Sequence, residues 1–285
     1  MGKLLGKNIT EKMTIGSLLK TIIMVLIAVG SIFPFIFMLS STFKLSGNVL
    51  KLPFNIIPDP FTLDNIRGLF ESDYYNFGRW YFNTILMTGT SLFLKYFFVS
   101  YTAYGFAKIK FKGRDVIFLM LLAGLMIPRD IMILPRYIIF KNLNILDTMW
   151  ALVLPSLVDV YFVFLLRQSF VSIPESLSEA AKIDGCSHFG IYYKIILPLS
   201  KPVISTMMLF SFVWSWNDYM SPYLYISSID KQMLSVGIKL FAEGKVQDYG
   251  AQMAAATLAL LPIIIVFIFS QRYFIEGVST SGVKG

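Results

Sequence analysis

Ser172 to Pro202 reads SIPESLSEAAKIDGCSHFGIYYKIILPLSKP, a charged segment between two apolar runs that are each long enough to cross a bilayer. Ser172-x-x-Glu175, with Pro174 inside it, predicts a capping box that opens a helix, and Gly185 predicts where that helix ends. Over about three turns Leu177, Ala180, Ala181 and Asp184 share one face by i, i+3, i+4 spacing, with Glu175, Glu179 and Lys182 placed on its flank for i+3 and i+4 pairs. The face is small and shallow. Two adjacent alanines let another protein's surface approach the backbone, and the acidic residues offer charge-assisted hydrogen bonds at the rim. After Gly185 a second amphipathic run, His188 to Leu197, is expected to stop at Pro198. The expected motif is a short helix, a glycine turn and a second helix lying at the membrane surface.

Working outward, the 285 residues are 56% hydrophobic and only 15% charged, with a mean hydropathy of +0.67. So apolar a chain has too little polar surface for a soluble domain and is an integral membrane protein. The net charge of +8 could by itself suggest nucleic acid, but in so apolar a chain basic residues mark the cytoplasmic loops of a membrane protein. Cys186 is the single cysteine, which rules out an internal disulfide and leaves a small packing residue in the loop. His188, the single histidine, has no second ligand beside it to make a metal site.

The expected fold is all-α, with six transmembrane helices at about 18–40, 80–107, 115–134, 148–170, 202–226 and 251–274, and a loop at 172–202. Residues 1–17 carry Lys3, Lys7 and Lys12 and read as a cytoplasmic segment, 18–275 as the transmembrane domain, and 276–285 as a cytoplasmic tail. The first apolar run is too long for a signal-peptide core and has no small-residue cleavage pattern after it. Phe43 to Arg79 is a long loop of balanced charge. Lys108, Lys110, Lys112 and Arg114 crowd the link between the second and third spans and place it in the cytoplasm. Pro128, Arg129, Asp130 and Pro135 are expected to end the third span at the outer face, and Ser227 to Gly250 fits an outer loop. Counting crossings then puts both termini, and the Ser172–Pro202 loop, inside.

Glu179-Ala180-Ala181, Asp184-Gly185, Ile195-x-Leu197-Pro198 and Pro202 together resemble the EAA loop of the membrane subunits of ABC importers, in the form of the carbohydrate-uptake branch. Similar resemblances run through Asn55 to Phe70, Met126-Ile127-Pro128 with Leu134-Pro135-x-Tyr137, Phe164 to Gln168, and the tail from Gln271 to Gly285. The shorter, maltose-type six-span subunit is the nearer match. The resemblance implies a type I importer permease whose coupling helix, with Glu175, Glu179, Ala180, Ala181, Asp184 and Gly185, seats on a cytoplasmic ATPase, and whose tail, with Gly282 and Lys284, reaches between two ATPase subunits. It also implies its partners: a second homologous permease, two copies of the ABC ATPase, an extracytoplasmic sugar-binding protein, and a sugar or oligosaccharide as substrate in a bacterial cytoplasmic membrane. ATP and Mg belong to the partner ATPases, because no G-x-x-x-x-G-K-[ST] phosphate loop occurs here. No nucleophile elbow or HExxH occurs either, which argues against an enzyme.

On the fifth span Ser211, Ser215 and Asp218 fall on one stripe, with Trp214 and Asn217 adjoining. An indole face beside carboxamide and carboxylate groups suits a sugar passing through; equally, a tryptophan near a membrane boundary serves as an anchor and Asp218 is solvated there. Lys95 and Asp159 sit near the middles of the second and fourth spans, where an unpaired charge is costly. They pair, or they face a watery cavity, or Lys95 meets a partner subunit. A rival reading makes them the coupling charges of a self-sufficient ion-driven carrier, which would need neither the loop nor an ATPase.

Overall fold

A computed structural model describes residues 15–53, 55–71, 76–243 and 248–281. Among these every regular element is a helix: α1 Ile15–Thr42, α2 Asp64–Glu71, α3 Phe77–Lys108, α4 Arg114–Ala123, α5 Ile133–Asn142, α6 Trp150–Leu157, α7 Val160–Ser172, α8 Glu175–Ile183, α9 His188–Ile191, α10 Leu197–Leu199, α11 Lys201–Trp216, α12 Met220–Tyr225, α13 Leu234–Glu243 and α14 Tyr249–Ser281.

α3 is the mast. At 32 residues it is about 48 Å long, and it feeds all three apolar clusters. Phe77 and Trp80 pack with Phe212, Trp216, Leu234, Phe241 and Ala254 near its start. Met87 joins Phe140, Val153, Tyr225 and Met233. Val99, Ala103, Tyr104 and Phe106 pack with Phe162, Leu166, Tyr192 and Met207 toward its end. α13, in the segment expected to be an outer loop, closes the first of these clusters. A Cβ at Gly237 would fall inside the Trp80 ring, so only glycine lets α13 lie so close to α3. The indole Nε1 of Trp80 donates to the Ile229 carbonyl at 2.7 Å. The signal for α13 was in the sequence: Leu234, Ile238 and Phe241 are spaced for one helical face.

Among the described residues three helices are long and apolar enough to cross a membrane, Gly16–Thr42, Trp150–Ser172 and Tyr249–Gln271, or up to five if each of two bent pairs is one span. No residue in the apolar window of α1 is buried by the rest of the chain, although α1 runs along α14. In water that would be untenable; facing lipid or another apolar helix it is ordinary.

Three of the expected spans are not continuous helices. The third breaks at Ile127–Pro128, where α4 and the 3-10 turn after it meet Arg129–Asn142 at 94°. The residue before proline is driven out of the helical region, and Ile127 is extended there with φ −87° and ψ 115°. The fifth stops at Trp216 and resumes at Met220, with Asn217 to Tyr219 outside any helix. The fourth is interrupted at Val158–Asp159 between α6 and α7.

Candidate functional site

The loop is clamped to one end of the bundle. The Lys108 ammonium at the end of α3 donates to the Ile173 carbonyl at 2.7 Å and pairs with Glu175 at 3.3 Å. The Tyr104 hydroxyl donates to the His188 carbonyl at 3.0 Å, and the Ser100 and Tyr192 hydroxyls bond at 2.7 Å. Burial pushes the Tyr192 phenol up to about 12, so it remains neutral throughout the physiological range. Arg167 ties the neighbouring helices, donating to the Phe106 carbonyl at 3.2 Å and lying over Phe118.

The capping box does not form. α8 begins at Glu175, Pro174 occupies the cap with ψ 134°, and Ser172 instead donates back to the Ser169 carbonyl at 2.7 Å. Glu175 is therefore the first helical residue and is too early to reach back, and Lys108 takes it. The expected flank pairs with Lys182 are absent as well: neither Glu175 nor Glu179 lies within 4 Å of the Lys182 ammonium. The cap that does form is Ser187, whose Oγ accepts from the Gly190 N–H at 3.2 Å and opens α9.

Gly185 ends α8 as expected. Its φ is +79°, a region costly for any residue with a Cβ. The Cys186 N–H reaches the Ala181 carbonyl at 2.8 Å and the Gly185 N–H the Lys182 carbonyl at 3.0 Å, the paired bonds of a Schellman turn. The shared face divides: Ala181 and Ser178 are buried against the bundle, while Leu177, Glu179, Ala180 and Asp184 stay exposed and Ile183 is 86% exposed.

The run after the turn does not stop at Pro198. α9 passes through a π turn at Tyr192–Ile196 into α10, which ends at Leu199, and the chain then bends by 80° into α11. Pro198 brings no N–H, and the π turn before it has already left the i→i−4 ladder.

A second grouping lies farther along the same helices. Lys95 Nζ meets Asp159 Oδ2 at 3.1 Å with both side chains buried, and Arg129 Nη2 reaches both Asp159 oxygens at 3.4 Å. Lys95 and Asp159 thus pair, and they do so with a third member that the expected outer-face position of Arg129 did not foresee. α4 and its terminal turn run only thirteen residues, so Pro128 turns the chain well short of α3's far end. From Lys95 to the end of α3, from Asp159 to the end of α7, and from the start of α11 to Trp214 is likewise about thirteen residues, or about 20 Å. These ends coincide, since Lys108 holds Ile173 and Ser169 meets Ser200 at 3.4 Å. The four residues therefore share one level.

Trp214 completes the grouping. The Arg129 guanidinium lies 5.2 Å from its ring centroid, Phe162 packs 5.5 Å from the same ring, and Lys95 Nζ is 5.6 Å from Phe162. The rest of the fifth-span stripe does not converge here. Ser215 bonds to Met87 and Thr88 on α3, Ser211 is buried with no hydrogen-bond partner, and Asn217 donates back to the Val213 carbonyl. Asp218 accepts from the Ser221 N–H in the first turn of α12 at 3.2 Å. Asn217 instead lines a groove with Phe35, Trp216, Tyr219 and Leu260. Gly282 and Lys284 lie outside the described residues. Among the described residues, no three His, Cys, Asp or Glu side chains converge as a metal site requires.

Long helices with apolar outer faces, three of them broken deep in the bundle, and an amphipathic hairpin locked to one end define the transmembrane subunit of a transporter. Residues 95–280 match the family described as "Binding-protein-dependent transport system inner membrane component", and the chain belongs to that family. It is 32% identical over 267 residues to the arabinooligosaccharides transport system permease protein AraQ of Bacillus subtilis (strain 168), covering 93% of this chain and 95% of that one. It is 33% identical to the polygalacturonan/rhamnogalacturonan transport system permease protein YtcP of the same organism, covering 92% and 96%. In fold it is similar to a chain in the crystal structure of a bacterial ABC transporter involved in the import of the acidic polysaccharide alginate, with a TM-score of 0.82 at 21% identity over 91% of this chain and 96% of that one.

Proposed function

We propose that this chain is one of two homologous permease subunits of an ATP-driven importer for sugars or oligosaccharides, and forms half of its pathway. Its partners are a second permease, two copies of an ABC ATPase that carry ATP and Mg, and an extracytoplasmic sugar-binding protein. α8 is the coupling helix. In this reading α1, α3, the broken third and fifth segments, α6–α7 and α14 make six spans, with the loop and both termini in the cytoplasm. The relatives' printed substrates, arabino-oligosaccharides and polygalacturonan or rhamnogalacturonan, support the sugar class.

The observation that carries the reading is α8 itself. Its inner face is fastened to the ends of α3 and α7, while Leu177 and Ala180 are exposed and Ile183 is almost bare. A docked ATPase explains that face, and movement of the docked helix would pass to the bundle as a rigid body. The ion-driven alternative fares worse, because Asp159 is held by two cations and is not free to take up a coupling ion.

The test is a mild-detergent purification of the tagged chain from its native membrane, with identification of what accompanies it and an ATPase assay on adding sugars with the binding protein. Recovery of an ATPase and a second permease, with hydrolysis stimulated by a sugar-loaded binding protein, is the expected result. A chain that purifies alone and moves solute in liposomes without ATP would sink the reading.

A further inference from the structure

The Lys95–Asp159–Arg129 grouping carries two cations against one anion. Lys95 and Asp159 are buried and satisfy each other, whereas Arg129 keeps 64% of its side chain exposed. Only Nη2 of Arg129 engages Asp159, and its 3.4 Å is well beyond the roughly 2.7–2.9 Å of a full charge-assisted bond. One positive charge is therefore left over about 20 Å from the loop end, along helices that cross the membrane. An arginine at that depth is not stable facing lipid. The backbone around it is broken in the third, fourth and fifth segments, and irregular backbone deep in a membrane is tolerated where it lines a cavity; discontinuous helices are where transporters place their substrates. Trp214, with 43% of its surface open, lies directly beneath the guanidinium.

We propose that Arg129, braced by Asp159 and Trp214, is a subsite for a carboxylate on the transported saccharide, so that the importer takes uronic-acid sugars. This rests on the importer reading above. The guanidinium fork matches a carboxylate bidentately, and the neighbouring indole offers an apolar face to the sugar ring's C–H side. The surplus of a single charge fits a carboxylate at −1 and not a phosphate monoester, which carries about −1.5 to −2. Lys95 neutralises Asp159, so that Asp159 can hold Arg129 in place without repelling the incoming anion.

The test uses the intact complex in nanodiscs of phosphatidylcholine alone, so that no anionic lipid competes, and omits the binding protein so that its selectivity does not enter. Digalacturonate, its neutral dimethyl ester and glucose 6-phosphate are titrated while tryptophan fluorescence is followed, with Trp214→Phe identifying the Trp214 signal. Digalacturonate is expected to bind saturably and at least tenfold more tightly than the other two. Arg129→Gln should abolish that preference and Arg129→Lys should keep part of it.

Equal binding of acid and ester overturns the subsite, and tighter binding of glucose 6-phosphate overturns its assignment to a carboxylate. If Arg129→Gln instead releases the second permease from the complex, Arg129 is a subunit contact and the proposal fails. The importer reading is tested separately, by ATP-driven uptake of neutral oligosaccharides with the binding protein restored. Uptake there without an acid preference in the nanodiscs removes the subsite alone; absence of any ATP-driven uptake removes the importer, whatever the fluorescence reports.

Discussion

The Gly185 turn and the Asp159 grouping lie about 20 Å apart along the same helices, and they are held in opposite ways. The turn is made by its own neighbours: two backbone hydrogen bonds within six residues and one glycine at positive φ. The Asp159 grouping is assembled from residues 64 and 30 positions away in the chain, each delivered by a different helix. A locally made structure can present an open face without losing its shape. One made by distant partners fails when any partner is removed, so the two regions should respond differently to mutation.

Asp159→Asn should produce the largest effect, because it strands two cations. Breaking one side of a buried pair costs about 3–5 kcal/mol, which thermal unfolding of the detergent-solubilised chain would record as a steep fall in Tm. Replacing the pair together, Lys95→Met with Asp159→Leu, should recover much of that loss even though Arg129 then stands unbraced. Failure of the double variant to recover would mean that Asp159 chiefly serves Arg129 and not Lys95.

Gly185→Val sharpens the comparison from the other side. The space around Gly185 is open, so a side chain meets no clash and the cost is only backbone strain of about 1–2 kcal/mol. The protein should insert and fold, yet ATP-driven uptake should drop at least tenfold while basal ATPase activity continues. Full uptake by this variant would remove the turn from the coupling path.

Tyr104→Phe deletes one bond between α3 and the loop without leaving a cavity. About 1 kcal/mol of stability is at stake, together with a two- to fivefold loss of uptake if that clamp transmits force. Stability lost with uptake unchanged would confine the clamp to folding.

The smallest effect is expected at the opposite end. There Asp147 is pushed up by burial, but hydrogen bonds from Lys231, Ser228 and Ser227 outweigh this and hold its carboxyl well below the ordinary carboxylate range. A depressed folded pKa stabilises fully above the unfolded value of 3.8 and is lost as pH falls through the folded one. The Tm gap between wild type and Asp147→Asn should therefore be flat from about pH 7 to about pH 5 and should narrow only below about pH 4. Narrowing near neutrality would contradict the hydrogen-bonded carboxylate.

What could be read in advance follows the same division. Gly185 was legible because positive φ is a demand of the residue itself, and the spacing around it fixes a helix without reference to anything distant. Ser172 misled because a capping pattern names a sequence register, while Pro174 and Lys108 decided where the helix begins. The long apolar helices α1 and α14 were legible from composition. Pro128 was visible but read as a terminus: a proline near the end of an apolar run looks the same whether the chain leaves the membrane or turns inside it. Only the packing of α4 against α3 and α7 distinguishes these, and with it the arrival of Arg129 at Asp159. The indole of Trp214 was singled out and does lie against Arg129 and Phe162, but its neighbours on the stripe were recruited by α3 and α12, which no periodicity reports.

The 80° bend at Ser200 makes a bell crank of the segment on either side of it. One arm, His188–Leu199, is about 18 Å long and the other, Lys201–Trp216, about 24 Å, so a rotation about the bend that carries the loop end through about 3 Å carries Trp216 through about 4 Å. The Ser169–Ser200 contact lies at the pivot and the Tyr104 and Tyr192 hydroxyls grip the shorter arm. Leverage is then nearly even: a stroke at the hairpin reaches the Trp214 level with little gain and little loss, turned through almost a right angle.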